Sequence, residues 1–359
     1  MKKYIYFLFA PILLGCAATG LKPIDVKNIP PIARDTTEVA KTQGWKYTEN
    51  RDSLPPEPVK KVNSGTASKT ITFSDATRTK GILNFLASDK LKGRDTASEG
   101  IEKAAQFIEG IFEQNQVLPY FKTYRDTLSN FAKTATNVVG WVPGSDPGLK
   151  DQYILIGAHY DHIGIIKPQG GDAIANGAND NATGTTTVLE LARYFGNERT
   201  NGRSLIFVLF TAEEKGLLGS KHLAKRLKAN NLDLYLVLNY EMLGVSLNSK
   251  KYLTYASGYK KSNIGEVCNA YAGRELVGFL PTAERFSLFQ RSDNYPFHQE
   301  FNVPSHTFCT FDFTNFDHYH KVSDETDQID FEHMARIINS FIPVVSGLAN
   351  ASEREVTYY

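Results

Sequence analysis

Ten residues near the middle of the chain decide its fold: Leu205-Ile206-Phe207-Val208-Leu209-Phe210-Thr211-Ala212-Glu213-Glu214. The first six are apolar without interruption, and Lys215-Gly216 follow the two carboxylates. Because polar and apolar residues do not alternate in this run, it predicts a strand that is buried on both faces. Open α/β sheets bind their ligands at the carboxyl ends of such strands. We therefore expect Glu213 and Glu214 to lie at a functional edge of a sheet.

Two further segments carry polar residues toward the same edge. The apolar run Ile154-Leu155-Ile156-Gly157-Ala158 ends in His159-Tyr160-Asp161-His162, and Asn179-Asp180-Asn181-Ala182-Thr183-Gly184 lies between the two runs. The earlier run again predicts a buried strand that ends in polar groups. We interpret the three segments as one metal site and the rest of the chain as its scaffold.

Strands alternate with helices from about Ser74 to Leu348. This alternation predicts a single α/β domain with a mostly parallel central sheet and helices on both faces. Residues Thr96-Ala97-Ser98-Glu99 fit a capping box at the start of one helix. The predicted strands cover residues 137–142, 153–158, 205–210, 234–240 and 305–311. A further helix is predicted to start near residue 183, and three more cover residues 217–228, 262–271 and 331–348.

The composition allows a sizeable core and excludes some partners. Hydrophobic residues make up 42% of the 359-residue chain, and its formal charge is +1. A chain without a strong positive charge is not expected to bind nucleic acid. The three cysteines are too few for a disulfide framework, and their spacing does not suit a metal site.

The N-terminus resembles a bacterial lipoprotein signal. Basic residues Lys2 and Lys3 precede an apolar stretch that ends in Leu13-Leu14-Gly15-Cys16. In such signals the cysteine is lipidated and becomes the new N-terminus; the alternative is an ordinary secretory signal. We expect an exported, periplasmic or cell-surface lipoprotein, anchored through Cys16 to a bacterial membrane that we take to be the outer one. In an oxidising compartment Cys268 and Cys309 could pair or remain two buried free thiols.

Acidic and imidazole side chains follow several predicted strands or lie in loops. The candidate ligands are His159, Asp180, Glu213 or Glu214, Glu241 and His320. Nitrogen and oxygen donors without thiolates suit zinc, with manganese or cobalt as alternatives. Five protein ligands exceed what one catalytic zinc ion takes, since such an ion keeps a position open for water. They suit two zinc ions roughly 3.5–4 Å apart, bridged by a carboxylate.

Five motifs, in order, resemble those of metallopeptidase family twenty-eight. These are AHYDH (158–162), GANDNATG (177–184), AEEKGLLGS (212–220), NYEM (239–242) and YHKVSD (319–324). The segments SDKLKGR (88–94) and RSDNYPF (291–297) also resemble parts of bacterial members. The family comprises co-catalytic di-zinc aminopeptidases, relatives of glutamate carboxypeptidase. The resemblance implies the zinc-aminopeptidase (phosphorylase/hydrolase-like) fold and peptide substrates.

The resemblance also implies a role for each matching residue. His159 and Glu241 would hold one metal ion, Glu214 and His320 the other, and Asp180 would bridge them.

The same resemblance implies the catalytic groups. Glu213 would be the general base, taking a proton from a metal-bridging water and passing it to the leaving amine. Asp161 would orient His159 by accepting its second ring N–H. Tyr319 would donate a hydrogen bond to the developing oxyanion.

Four positions leave alternatives open. The family often has Asp where this chain has Glu241, so the first metal could bind more weakly or be missing, which would give a single-zinc enzyme. His162 is expected to line the cleft or bond a neighbour, although it could compete with His159. His318 is the rival of His320. Asp293 could shape the substrate pocket or stabilise a loop.

The predicted organisation has four parts: a lipoprotein signal (1–16), a tether with an extended arm (17–70), a metallopeptidase domain (71–350) and a C-terminal tail (351–359). The leading hypothesis is a zinc-dependent aminopeptidase. The alternatives are a dipeptidase or carboxypeptidase, a glutaminyl cyclase-like single-zinc enzyme, and a receptor-like binding domain that has kept the fold without the chemistry.

Overall fold

The computed structural model describes residues 71–359. The predicted signal segment with Cys16 and the whole predicted arm therefore lie outside the described residues. Within residues 71–359, no helix combines the length and the apolar character needed to cross a bilayer.

A nine-stranded sheet forms the centre of the domain, and a two-stranded hairpin stands apart from it. The strands in chain order are β1 (Leu118–Pro119), β2 (Arg125–Thr127), β3 (Thr136–Val142), β4 (Tyr153–His159), β5 (Gly164–Gln169), β6 (Asp172–Ala175), β7 (Ser204–Phe210), β8 (Leu234–Glu241), β9 (Thr254–Ala256), β10 (Val277–Gly278) and β11 (Ser305–Cys309). The order across the large sheet is β1-β3-β7-β4-β8-β11-β9-β10, with β2 paired to β3; β5 and β6 form the hairpin. The central strands β7, β4, β8 and β11 are parallel, whereas β3 and β9 flank them antiparallel. The predicted α/β fold is confirmed, with its parallel strands at the centre of the sheet.

Helices cover both faces of this sheet. They are α1 (Ala76–Leu86), α2 (Glu99–Gln114), α3 (Thr183–Glu198), α4 (Leu218–Ala229), α5 (Ile264–Ala272), α6 (Pro281–Arg285), α7 (Asn294–Phe301) and α8 (Phe331–Asn350). One apolar cluster joins the sheet to α1, α2, α3, α5 and α8, and a second joins it to α4 and α7. Strand β7 serves both clusters, because Leu205, Phe207 and Leu209 face the first while Ile206, Val208 and Phe210 face the second. All six side chains are fully buried, as their uninterrupted apolar run predicts.

The parallel strands end at one edge of the sheet. In the register, His159 of β4 lies beside Phe210 of β7, and Cys309 of β11 lies beside Glu241 of β8. The segment Thr211 to Glu214 therefore leaves the sheet next to His159 and on the same side as Glu241. Polar residues far apart in the chain are thus brought to a common edge.

The predicted capping box differs from the structure. Helix α2 is capped by Ser98, whose hydroxyl accepts from the N–H of Ile101 at 3.3 Å, and Thr96 lies outside the helix. The hydroxyl of Thr96 is used elsewhere, in a contact with Asp161 described below. No local pattern predicted the β5–β6 hairpin or α7, which starts at Asn294.

The cysteines and the C-terminal tail take defined places. Cys268 and Cys309 are both buried free thiols. The sequence left open whether they pair, and in the structure they do not. In the predicted tail, Val356 is buried and Tyr358 bridges to Ser262, so this segment packs against the domain.

Candidate metal centre

Asp180 lies in a tight turn that holds its main chain in place. The turn Ala178–Ala182 follows Gly177, whose φ of 57° is in the left-handed region. The carboxylate of Asp324 accepts from the N–H of Asn179 at 2.7 Å and from the N–H of Asp180 at 3.0 Å. Asp324 belongs to the last sequence motif, so that motif fixes the turn as well as supplying His320.

The two carboxylate oxygens of Asp180 face different imidazoles. Oδ1 lies 3.4 Å from Nε2 of His159, and Oδ2 lies 3.1 Å from Nε2 of His320. The Asp180 side chain is almost fully buried between them. This is the arrangement that a carboxylate needs to bridge two cations. Burial opposes ionisation of Asp180, but its contacts with His159 and His320 outweigh this and hold its pKa well below the usual range.

His159 has one ring nitrogen fixed and the other free. Nδ1 lies 3.1 Å from the main-chain oxygen of Asp161, which can only accept, so Nδ1 carries the hydrogen. Nε2 is buried and has no hydrogen-bond partner among residues 71–359. Its lone pair points toward a carboxylate oxygen of Asp180, and two such acceptors repel each other unless a cation or a proton lies between them. Although burial lowers the pKa of His159, the charges of Glu213, Asp180 and Glu241 raise it well above its ordinary value.

The expected role of Asp161 needs a correction. Its carboxylate Oδ1 lies 3.9 Å from Nδ1 of His159, beyond hydrogen-bond distance. The main-chain oxygen of Asp161 orients the ring instead, because the carboxylate is engaged elsewhere. It accepts from the hydroxyl of Thr96 at 3.0 Å and from the N–H of Glu213 at 3.1 Å. Burial raises the pKa of Asp161 to about 6.

A second group of donors surrounds the other oxygen of Asp180. His162, Asp180, Glu214 and His320 each offer one ligand atom, and these atoms lie within 4.8 Å of one another. Oε1 of Glu214 is 3.2 Å from Nε2 of His320 and 3.0 Å from Nδ1 of His162. Burial favours the protonated form of Glu214, but its contacts with His162 and His320 outweigh this effect and lower the pKa of Glu214 to about 2. His318, the rival of His320, points elsewhere, with its Nδ1 2.9 Å from the hydroxyl of Ser323.

Glu213 lies just past the end of β7 and lines the same cavity as Asp180, Glu214 and His320. It follows Ala212, whose φ of 56° turns the chain sharply at the end of β7. Burial and the neighbouring charges of Glu241, Asp293 and Glu214 raise the pKa of Glu213 well above its ordinary value. Glu213 therefore holds a proton more readily than a free carboxyl group does.

Glu241 ends β8 and is held by a neighbour. The hydroxyl of Ser292 donates to Oε2 of Glu241. Burial raises the pKa of the Glu241 carboxyl. Ser292 belongs to the segment RSDNYPF, which resembles bacterial members of the family. Asp293, next in the chain, is fully buried, and burial raises its pKa to about 7.

The donors present fit a zinc centre. The buried Nε2 of His159, which has no hydrogen-bond partner among residues 71–359, and the carboxylates of Asp180 and Glu214 are the nitrogen and oxygen ligands that zinc prefers. A bound cation would balance the charge of these buried carboxylates. His159, Asp180, Glu214, Glu241 and His320 line one contiguous region at the carboxyl edge of the sheet.

A family model agrees with this geometry. Residues 137–345, more than half of the chain, match the model of peptidase family M28. The chain belongs to peptidase family M28. The matched residues contain all the predicted metal ligands and Glu213, but not Arg94 or Thr96.

Individual curated relatives match only part of this chain. A probable leucine aminopeptidase from Arthroderma otae is 26% identical over 243 residues, which cover 60% of this chain and 57% of the relative. The chain spans between 24% and 57% of the length of the curated relatives that it matches.

Solved structures share the M28 fold at low identity. The LapA aminopeptidase of Legionella pneumophila matches with a TM-score of 0.59 and 20% identity, covering 77% of this chain and 73% of that chain. The glutaminyl cyclase of Porphyromonas gingivalis matches with a TM-score of 0.59 and 15% identity, covering 76% of this chain and 98% of that chain. Both an aminopeptidase and a cyclase therefore share this fold, and the fold alone does not distinguish the two reactions.

Two cavities open onto the metal centre of this M28 domain. The larger, of about 410 Å³, is lined by Asp180, Glu213, Glu214, Gly216, Leu217, Lys221, Glu241, Gln290, Arg291, Tyr319 and His320. The smaller, of about 80 Å³, is lined by Glu241, Met242, Tyr255, Ser257, Leu288, Arg291, Ser292, Thr307, Cys309, Phe311, Phe313 and Tyr319. Glu241, Arg291 and Tyr319 line both, so the two cavities meet beside the predicted metal ligands.

Tyr319 stands at this junction. Its ring stacks on His320 with 4.0 Å between ring centroids and on Phe311 with 5.2 Å. Burial, together with the nearby charges of Asp180 and Glu214, raises the pKa of the Tyr319 phenol. The phenol therefore stays protonated and can donate a hydrogen bond.

Several site residues escaped the sequence analysis. Thr96 carried no signal beyond its mistaken place in a capping box. His162 was expected to line the cleft or bond a neighbour, with competition with His159 as the alternative, and its contact with Glu214 was not foreseen. Arg94 is fully buried and donates to the main-chain oxygens of Tyr160, Asn176 and Gly177, tying the end of β4 to the Asp180 turn. The resemblance of SDKLKGR to the family was the only sign of this role.

Proposed function

We propose that this protein is a zinc-dependent aminopeptidase that removes N-terminal residues from peptides. The observation that carries the proposal is the divided carboxylate of Asp180, with one oxygen facing His159 and the other facing His320. A bridge of this kind positions two cations for hydrolysis of an amide bond. Membership of peptidase family M28 supports a hydrolase that acts on peptide bonds.

The cavities support cleavage at a chain end. The larger cavity contains the metal-ligating carboxylates and Glu213, and the smaller one adjoins it at Glu241. Met242, Leu288, Phe311 and Phe313 make part of the smaller cavity apolar. We infer that it holds an apolar side chain of the terminal residue, as small-molecule sites commonly combine an apolar wall with a few polar groups.

The chain's own residues then have separate tasks. When bound, zinc polarises the scissile carbonyl and lowers the pKa of water. Glu213 takes the proton from the attacking water and returns it to the leaving amine. The phenol of Tyr319 donates toward the oxygen that becomes negatively charged. Glu241, which lines both cavities, lies where the free α-amine of the substrate would be held.

A mixed peptide library tests the proposal. Metal-loaded protein is incubated with peptides that have free or acetylated N-termini, and the products are identified by mass. We expect loss of one N-terminal residue at a time from the free peptides alone. Shortening from the C-terminus would show a carboxypeptidase, and cleavage restricted to two-residue substrates would show a dipeptidase.

The same assay separates the remaining alternatives. A peptide with N-terminal Gln that loses ammonia without being shortened would show a glutaminyl cyclase. No product from any peptide, in a sample that carries zinc, would favour a receptor-like binding domain.

We also propose that the protein is an exported lipoprotein anchored through Cys16. The support is the sequence alone: Lys2 and Lys3, an apolar stretch, and Leu13-Leu14-Gly15-Cys16. Labelled fatty acid should be incorporated into the protein in cells and not into a Cys16→Ser variant. Equal labelling of both, or recovery of the wild type in the soluble fraction, would contradict the anchor.

A further inference from the structure

We propose that His162 is a fourth protein ligand of the metal ion held by Asp180, Glu214 and His320. The family resemblance assigns no metal to this residue. The inference rests on the proposed zinc centre and describes how its two positions differ.

The distances fit a tetrahedron. A metal ion bound at about 2.0–2.1 Å by four nitrogen and oxygen ligands separates neighbouring ligands by about 3.3 Å. Nδ1 of His162 lies 3.0 Å from Oε1 of Glu214 and 3.7 Å from Oδ2 of Asp180. Nε2 of His320 lies 3.2 Å and 3.1 Å from the same two oxygens. Two imidazoles thus face the same two carboxylate oxygens, as four ligands around one ion do.

A simple hydrogen bond explains less of this geometry. A proton on Nδ1 of His162 would make a hydrogen bond to Oε1 of Glu214. A second proton, on Nε2 of His320, would then be needed to explain why that ring approaches the same oxygen. A single cation between the four atoms attracts both oxygens and both nitrogen lone pairs. It also balances charge in a place where His162 is fully buried.

The surrounding main chain holds the ring of His162 in a defined position. A side chain on Gly177 would put its first carbon 2.5 Å from the ring, so glycine there makes room for it. The N–H of His162 donates to the main-chain oxygen of Arg94 at 3.2 Å, and the guanidinium of Arg94 donates to the oxygen of Gly177 at 2.9 Å. The buried Arg94 therefore fixes the loop of His162 and the turn of Asp180 relative to each other.

The consequence is that the two metal positions are not equivalent. The position with His162, Asp180, Glu214 and His320 has four protein ligands, which leaves no tetrahedral coordination site for water; we call it the closed position. The other position has His159, Glu241 and the shared Asp180, so it keeps room for water or substrate. Closed four-ligand sites hold zinc firmly, whereas catalytic sites leave a position open. We infer that the first zinc ion binds at the closed position and that the second exchanges more readily.

The test counts imidazoles and measures affinity, without relying on activity. Metal-free wild-type protein receives one equivalent of zinc, and X-ray absorption gives the number of imidazole ligands. Two imidazoles are expected, from His162 and His320. Competition with a chelator should give two zinc affinities that differ clearly.

A His162→Asn variant separates a ligand from a hydrogen-bond donor. The Asn amide can still donate to Glu214 from nearly the place of Nδ1, but it does not replace the imidazole. We expect the tighter zinc affinity to fall at least about a hundredfold, more than the loss of an outer hydrogen bond usually costs. His222→Asn, at a histidine bonded to Ser129 and Asp126 away from the centre, is the matched control and should leave both affinities unchanged.

The outcomes are distinct. One imidazole at the first equivalent, or a His162→Asn variant within about threefold of wild type, would overturn the inference and leave the aminopeptidase proposal standing. Wild-type protein that binds no zinc would overturn both. If His162→Asn does not fold, the imidazole count on the wild-type protein still decides the question.

Discussion

The main-chain N–H of Glu213 donates to Oδ1 of Asp161 at 3.1 Å, which joins the predicted base to the residue that also orients His159. One residue therefore controls two parts of the site: its main-chain oxygen sets the His159 ring, and its carboxylate sets the start of the Glu213–Glu214 pair. The hydroxyl of Thr96 completes this arrangement at 3.0 Å from Oδ2 of Asp161. The geometry of the base thus depends on a residue more than one hundred positions earlier in the chain.

Replacing Thr96 by Val should therefore slow turnover. The change leaves Oδ2 of the buried Asp161 without its partner, which costs about 1–3 kcal/mol of stability. It also lets the Glu213 main chain shift, and a small misplacement of a catalytic group lowers kcat by about tenfold or more. Thr79→Val is the control, because the hydroxyl of Thr79 donates only within its own helix. Steady-state rates and thermal unfolding check both variants, and equal kcat values would contradict the proposed link.

Replacing Glu213 by Gln should separate catalysis from metal binding. The variant keeps the ligands and the shape of the site but loses the proton acceptor, so kcat should fall by about 10²–10⁴-fold while zinc content stays the same. Glu214→Gln, at the next residue, removes a ligand and should lower zinc content. Metal analysis beside single-turnover kinetics compares the two. A Glu213→Gln variant with near wild-type turnover would exclude Glu213 as the base.

Replacing Asp180 by Ala should weaken the binding of both zinc ions. Each carboxylate oxygen of Asp180 faces a different imidazole, so its removal takes one ligand from each position. Glu241→Ala takes a ligand from only the His159 position and serves as the comparison. Zinc is counted after dialysis against a weak chelator. An ion that Asp180→Ala holds as tightly as the wild type does would show that Asp180 does not bridge.

Patterns that are local in the sequence predicted the fold well. The apolar run 205–210 gave β7, because a strand buried on both faces needs no information from elsewhere in the chain. The apolar residues at helical spacing after Ser98 likewise give α2, with one buried face. The periodicity of apolar residues and the residues that begin or end the segment are enough to predict such elements. Helix α7 was missed because it has only eight residues, includes Pro296 and shows little periodicity.

The site was predictable where a residue belongs to a motif and not where it depends on tertiary contacts. The motifs placed His159, Asp180 and His320 among the candidates, and the fold brings them together. No local pattern shows that Thr96 meets Asp161, or that Gly177 leaves space for the ring of His162. The main-chain contact of Asp161 was missed for a different reason: a resemblance assigns side chains, and here the carboxylate has other partners.

The small apolar cavity should set the preference for the terminal residue. Leu288 lines it and is only half-buried, so Leu288→Ala should enlarge the cavity without unfolding the domain. We expect kcat/KM for an N-terminal Leu substrate to fall by about tenfold, because one or two lost methylene contacts in a pocket cost this much. Substrates with larger aromatic residues should gain relative to Leu. Leu118→Ala, at an exposed position away from the cavity, is the control.

An unchanged order of substrates in Leu288→Ala would mean that the terminal side chain binds elsewhere. The measurement uses amide substrates that differ only in the N-terminal residue. Ratios of kcat/KM are compared, so that a general loss of activity does not affect the conclusion.

The buried His306 should make the protein less stable in mild acid. Burial lowers the pKa of His306 to about 4, while its ring bonds the main-chain oxygen of Ser257 and the hydroxyl of Ser262, each at 2.8 Å. In the unfolded chain the pKa of a histidine is about 6.5. Below that pH the unfolded state takes up a proton that the folded state does not, so the folded state loses stability as the pH falls from about 6.5 to about 4. The loss amounts to about 3 kcal/mol by the time the folded histidine titrates. Urea unfolding of wild type and His306→Asn across this range isolates the contribution, because the other titrating groups are shared. The wild type should lose its advantage over the variant as the pH falls, and a difference that does not change with pH would show that the buried ring is not held neutral.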